Sequence, residues 1–207
     1  MRRFLVLPAL AVTLAMVAPA QAKPFTYTDP KGDVPANAGL DIVGVTYATE
    51  GTTSVRKVGR KTVKTYQPLK LVVTMTLAGA PVEQAGIRYR VEAQVAECGP
   101  MTFSYAPALS EAALDATSQL VVGCGGSSDV TGGDSVFLDP KFSVKGSSLV
   151  WSIPLKTLPK PARAGGLLYG LASSVDVVEP VLGALGPDDV GSEVLDTARS
   201  DADWDIA

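Results

Sequence analysis

Ile87-Arg88-Tyr89-Arg90-Val91-Glu92-Ala93-Gln94-Val95 changes character at every step. Ile87, Tyr89, Val91, Ala93 and Val95 fall on one side of an extended chain, and Arg88, Arg90, Glu92 and Gln94 fall on the other. An apolar period of two marks a strand, whereas a helix would repeat every 3.6 residues. One dry face and one wet face mark a strand in a half-buried antiparallel sheet. Leu71, Val73, Met75 and Leu77 repeat the pattern with Thr74 and Thr76 opposite, and Val43, Val45 and Tyr47 mark an earlier strand.

Further strands follow outward from this one. Phe142 and Val144, a turn at Lys145-Gly146-Ser147, then Leu149, Trp151 and Ile153 spell a β-hairpin. Leu167 to Val177 is another apolar strand, and Met101 to Tyr105, Gln119 to Gly123 and Ala202 to Ile206 are weaker ones. Ser110 to Ala116 has room for one short helix. Many short strands with regular Gly and Pro turns predict a mainly β fold with little helix. The expected architecture is an antiparallel two-sheet β-sandwich, jelly-roll or immunoglobulin-like.

Residues 1–22 read as a signal peptide. Arg2 and Arg3 open it, Phe4 to Val17 is uncharged and mostly apolar, and Ala20-Gln21-Ala22 offers small residues at a cleavage site. The alternative is an N-terminal membrane anchor, but the apolar core is shorter than the roughly 20 residues a span requires. Arg2-Arg3-Phe4-Leu5 matches a twin-arginine signal only in part, so the general secretory route is the expectation. The chain is then secreted, starts at Lys23, and forms one β-sandwich domain over 23–207 with no later membrane insertion.

The leader carries two basic and no acidic residues, so the mature chain has 16 basic residues against 21 acidic ones, a balance of −5. That balance argues against nucleic-acid binding, which needs a basic footprint. The chain has no histidine. Ser-His-Asp and Cys-His catalysis, histidine zinc sites and ordinary haem ligation are thereby excluded. Met75 and Met101, the only mature methionines, sit in strand patterns, which leaves haem without a ligand. Carboxylate-pair chemistry and calcium binding survive, because they need only oxygen. No G-x-S-x-G element is present.

Cys98 and Cys124 are the only cysteines. Each follows a strand-like run and precedes Gly. In an exported protein a disulfide between them is the favoured reading over two buried thiols.

Three places carry candidate chemistry. The first is Phe25-Thr26-Tyr27-Thr28-Asp29-Pro30-Lys31-Gly32-Asp33, followed by Leu40-Asp41-Ile42. Asp29, Asp33 and Asp41 surround a Pro/Gly turn that leads into a strand. Calcium favours hard oxygen ligands on such a bend, although aspartates also cap turns through nearby backbone. The EF-hand spacing is absent. The second is Val55 to Lys64, where Arg56, Lys57, Arg60, Lys61 and Lys64 alternate with valines around Gly59. It reads as a projecting hairpin with a basic rim. Such a rim suits an anionic cell-wall polymer or an acidic partner, or serves as a solvated hairpin with edge-protecting lysines. The third is the acidic C-terminal segment, in which Asp188, Asp189, Glu193, Asp196, Asp201, Asp203 and Asp205 face only Arg199. A second ion site, a docking surface and a solvated tail all fit that bias. Trp151 shares a face with Leu149 and Ile153 and belongs to the core. Trp204 lies between Asp203 and Asp205, where it either forms an exposed binding surface or seals the last strand.

The Asp-Pro-x-Gly-Asp opening, the Asp-Ile strand start and the run Leu71-Val72-Val73-Thr74-Met75-Thr76-Leu77 resemble secreted sandwich domains of the DOMON and family 9 carbohydrate-binding type. The likeness covers roughly residues 25–78, with an echo at Asp196-Thr197-Ala198. It implies a jelly-roll-like sandwich with a structural calcium near the first loop. Asp29, Asp33 and Asp41 are then calcium candidates, and Asp196 is a fourth. The haem-binding members of that group need Met or His ligands, which this chain lacks in usable places. The expected function is a secreted, non-catalytic binding domain that contacts an extracellular or cell-envelope component such as carbohydrate. The alternatives are a structural or protein-interaction module with no small ligand, and a carboxylate-dependent hydrolase.

Overall fold

The computed structural model describes residues 23–34, 37–84, 86–107, 117–124, 135–178 and 192–206. Two antiparallel sheets take up about two-thirds of them, and the helix among them is two single 3-10 turns at Leu155–Thr157 and Lys160–Ala162. The short helix expected over Ser110–Ala116 and the leader expected over residues 1–22 lie outside the described residues.

The first sheet contains β1 (Phe25–Thr28), β2 (Ile42–Val58), β3 (Lys61–Leu77), β8 (Lys141–Lys145) and β9 (Ser148–Pro154), in the order β1-β2-β3-β9-β8. The second contains β4 (Ile87–Val95), β5 (Pro100–Ala106), β6 (Thr117–Gly123), β7 (Ser135–Leu138), β10 (Leu167–Val178) and β11 (Ser192–Ser200), in the order β11-β10-β4-β5-β6-β7. A two-residue β12 (Trp204–Asp205) pairs with Leu167 and Leu168 on the edge that β11 occupies from Leu171 onward. The extended final strand expected over Ala202–Ile206 is reduced to those two residues.

The alternation read from the sequence sets the core. Along β4 every odd residue is buried and every even one half-exposed. Leu71, Val73, Met75 and Leu77 do the same on β3. Trp151 is fully buried on β9, where its ring packs against Phe103 and Phe142 and its Nε1–H donates to the Ser104 carbonyl at 3.3 Å. That bond ties the first sheet to the second. The Tyr47 hydroxyl makes a similar crossing to the Glu92 carbonyl at 3.3 Å. Buried aromatics of this size dominate core energetics through apolar area, and their polar tips require partners.

Two expectations need correction here. Val43 does not share a face with Val45. The β2–β3 register steps from Ile42–Leu77 to Gly44–Thr76, which leaves Val43 as an unpaired bulge residue, half-buried on the other side. An extra residue in one strand reverses the alternation beyond it. Trp204 is not a binding surface. It is 7% exposed and packs on Tyr47 at 5.9 Å between ring centroids, so the indole seals the edge of the core while its acidic neighbours face water.

Cys98 and Cys124 form a disulfide. It joins the β4–β5 turn to the end of β6, two strands that both pair with β5. On the chain-entropy model, closing a loop of that length stabilises the fold by about 3.5 kcal/mol. The untreated protein, once unfolded, should therefore take up no thiol label. A Cys98→Ser/Cys124→Ser variant should melt roughly 7–14 °C lower, from about 2–4 °C per kcal/mol for a chain of this size. Calorimetry on both proteins checks the value.

Candidate metal centre

The early aspartates meet because of the Val43 bulge. β1 ends at Thr28, and the next amide, Asp29 N–H, donates to the carbonyl of Val43 at 3.0 Å. The bulge carbonyl thus anchors the start of the loop. Gly32 then turns the chain at φ +93°, a left-handed conformation that suits glycine. Its N–H donates to Asp41 Oδ2 at 2.7 Å, which folds the turn back onto the start of β2. Asp41 itself is 2% exposed, and its own carbonyl accepts from the Ala78 amide at 2.8 Å.

The fourth carboxylate arrives from the other sheet. β10 and β11 pair with a register shift after Val175–Asp196, leaving Leu195 as an extra residue. Bulges commonly re-aim a side chain in this way. Asp196 turns inward and is 7% exposed. Its Oδ2 accepts from the Ile42 amide at 2.5 Å, and its Oδ1 accepts from the Thr197 amide at 2.7 Å. Ile42 and Asp196 lie 154 positions apart, so this contact clamps the edge of the second sheet to the head of β2.

Asp29, Asp33 and Asp196 each place a carboxylate oxygen within 4.8 Å of the others. Asp41 sits beside this trio rather than within it. Two buried oxygens, Asp29 Oδ2 and Asp41 Oδ1, have no hydrogen-bond partner. Among the described residues no salt bridge reaches any of the four. Burial pushes the Asp29 carboxyl up to about 6, with further contributions from Asp196, Asp33 and Asp41. Burial also raises Asp196. The Ile42 and Thr197 amides oppose that rise, and Asp33 and Asp41 add to it. Uncompensated carboxylates of this kind are costly to hold together.

The donor set suits one kind of cation. Calcium takes six to eight oxygens at about 2.3–2.6 Å, so ligand atoms within one shell lie up to about 5 Å apart. The trio falls inside that limit, and the Asp29 and Asp41 oxygens without partners supply acceptor capacity next to it. Zinc prefers nitrogen and sulfur donors. The chain has no histidine, and both cysteines are consumed in the disulfide.

Other candidates from the sequence lie elsewhere. Asp201, Asp203 and Asp205 are exposed, while Asp188 and Asp189 fall outside the described residues. The acidic segment is therefore not uniformly a solvated tail, because Asp196 is drawn out of it into the cluster. Arg56, Lys57, Arg60, Lys61 and Lys64 stand on the exposed end of the β2–β3 hairpin, and register places them remote from the carboxylates at the head of β2.

A second polar feature escaped the sequence reading. Asp176 is 3% exposed on the outer face of the second sheet, where Arg88 and Arg90 hold it at 3.3 and 3.4 Å. Arg90 also reaches Glu92 at 3.2 Å, at the rim of a shallow polar cleft. The signal was the arginine pair on the wet face of β4, but nothing in the chain order says that β10 lies beside it.

A scan of protein-family models, a search of curated proteins and a search of solved structures each returned no match for this chain. The likeness to DOMON and family 9 carbohydrate-binding domains rests on the quoted motif residues.

The raised Asp29 carboxyl fixes the sign of a pH effect. Its folded pKa, about 6, exceeds its ordinary value of 3.8, so the folded state binds more protons between those limits. Stability of the metal-stripped protein should rise as pH falls from 7 to 5. Asp29→Asn should remove that part of the rise. Melting curves of both stripped proteins at the two pH values provide the check.

Proposed function

We propose that the protein is an exported, non-catalytic binding domain whose first loop is held by a structural calcium ion. The observation that carries this reading is the meeting of Asp29, Asp33 and Asp196 beside two buried carboxylate oxygens that lack partners. A divalent cation there offsets the mutual repulsion and fixes the β1–β2 loop to the edge of the second sheet. The aspartates hold the ion in different ways: Asp196 is oriented by two backbone amides, Asp29 by the anchored start of its loop, and Asp33 completes the set from the exposed side.

The non-catalytic part of the reading is supported by the absence of histidine and by the backbone amides that already engage both oxygens of Asp196. A retaining glycosidase separates its two carboxyl groups by about 5–5.5 Å to flank a sugar, and an inverting one by more. Here three carboxylates rather than two are grouped, each with an oxygen within 4.8 Å of the others, and Asp196 is engaged by two backbone amides. A stacking platform for sugar finds less support. Both tryptophans are buried, and among the described residues the large exposed aromatics, Phe137 and Tyr169, stand on β7 and β10 with three strands between them. Contact with an envelope component then falls to polar and charged surface.

Calcium at a hundred times its dissociation constant stabilises a folded protein by about 2.7 kcal/mol, which corresponds to roughly 5–11 °C here. Asp196→Asn should abolish most of that gain. An identical melting temperature in calcium and in chelator would end the proposal. Differential scanning calorimetry of the wild type and the variant decides it.

A further inference from the structure

The β2–β3 hairpin runs far beyond the sandwich. β1 pairs with β2 only as far as Tyr47, and β9 pairs with β3 only from Thr76 to Lys70. Both strands nevertheless stay paired with each other out to Val58–Lys61. Among the described residues no third strand pairs with the ribbon from Gly51 to Pro68.

The sequence makes this departure deliberate. Pro68 has no amide to give a neighbouring strand, and β9 itself ends at Pro154 opposite Lys70. The register shifts after Glu50–Lys70, where Leu69 is the extra residue. A Cβ on Gly51 would lie 2.0 Å from the Gln67 carbonyl oxygen, so only glycine fits the close approach. Such a bulge turns a ribbon out of its sheet. At the tip Gly59, at φ +61°, is the first of two turn residues, the position a type II′ hairpin gives to glycine.

The charge of this arm is one-sided. Gly51 to Leu69 holds five basic and no acidic residues, in a mature chain that is otherwise acidic. A Glu50–Lys70 ion pair at 3.6 Å closes its base, and no salt bridge forms beyond it among the described residues. Pairing Lys57–Thr62 and Val55–Lys64 puts Lys57 and Lys64 on one face. Pairing Arg56–Val63 and Val58–Lys61 puts Arg56 and Lys61 on the other, with Arg60 in the turn. The diagonal pairs stand about 7–8 Å apart. Val55, Val58 and Val63 lie between them and are 51, 57 and 44% exposed. A two-stranded ribbon gains little stability of its own, and crowding five like charges on it lowers that further. The arm adds nothing to the core, so its chemistry is directed outward.

We infer that the arm is the docking surface for a flexible anionic polymer other than nucleic acid, carrying phosphodiester charges along its backbone. Cations on both faces and at the tip suit a chain that can bend around a narrow ribbon. A flat membrane would meet one face only, and neither face is apolar enough to insert. Dense backbone charge offers the largest gain from counterion release. The lysines act as point charges on phosphate, and Arg56 and Arg60 grip its oxygens with two donors each. The valines cover the polymer's carbon backbone between charges. This deepens the binding-domain part of the proposal by naming its surface, and it rests on that part and not on the metal centre.

The test uses poly(glycerol phosphate) with the full mature protein in calcium, measuring affinity across salt concentrations. Five contacts predict a slope of log K against log salt near −3.5, from about −0.7 per contact, or about a hundredfold loss between 50 and 200 mM. Arg60→Gln/Lys61→Gln should reduce the slope to about −2, and Gln at all five positions should abolish binding. Both variants should keep the wild-type melting temperature, because the arm lies outside the core. Binding of the five-residue variant equal to wild type, a flat salt dependence, equal affinity for polygalacturonate, or binding to anionic vesicles without binding to the soluble polymer would each overturn the assignment. A calcium-dependent melting shift without polymer binding sinks this inference alone. Polymer binding without a calcium shift sinks the metal centre and leaves the arm.

Discussion

One antiparallel ladder, β2 against β3, organises the molecule. It starts at Ile42–Leu77 and ends at Val58–Lys61, a length of about 50 Å at the usual rise per residue. The carboxylate cluster gathers at its head, its first half supplies much of the core of the first sheet, and the remainder, from Gly51 outward, leaves the sandwich as a basic arm. Continuous backbone pairing holds these three regions in fixed relation. The acidic and basic groups therefore sit at opposite ends of one pair of strands and do not neutralise one another.

Two bulges give the ladder its chemistry. At Val43 the extra residue frees a carbonyl that anchors Asp29, and the re-set alternation turns Ile42 into the core. At Leu69 the extra residue, with Pro68 beside it, ends pairing to β9 and releases the arm. A third bulge, on β11, turns Asp196 toward the head of β2. Each spends local regularity to aim a group that a regular strand would have pointed elsewhere. The buried partnerless oxygens at the cluster are the counterpart of this arrangement, since a folded protein rarely leaves such atoms without compensation.

Among the described residues, polar and aromatic contacts together join the two layers. Trp151 to Ser104 and Tyr47 to Glu92 cross between the sheets. Tyr89 serves the crossover from β3 to β4. Its hydroxyl donates to the Gly39 carbonyl at 2.9 Å and accepts the Val82 amide at 2.7 Å. Gly39 must be small there, because a Cβ would fall 2.1 Å from the Ala80 carbonyl oxygen. Deep burial of these rings keeps the phenols protonated, and Tyr89 is pushed up to about 12 by burial first.

How much was legible in the sequence depends on the range of the interaction. The strands β3, β4 and β9 were readable because side-chain alternation is local, and the hairpins at Gly59 and Gly146 because turn chemistry is local too. The disulfide followed from the cysteine count and the expected compartment. Asp29, Asp33 and Asp41 were visible as neighbours in a turn. What the chain order could not give was which distant residue completes each site. Asp196 reaches the cluster from 154 residues beyond Ile42, Asp176 is buried by arginines on a strand far earlier in the chain, and Trp204 is covered by Tyr47 rather than open to solvent. Sequence alone determined that the chain forms two half-buried pleated layers, because a period of two has one physical solution. Only the tertiary structure decided which carboxylates meet, because strand order and bulges set the distances between residues that the chain keeps far apart.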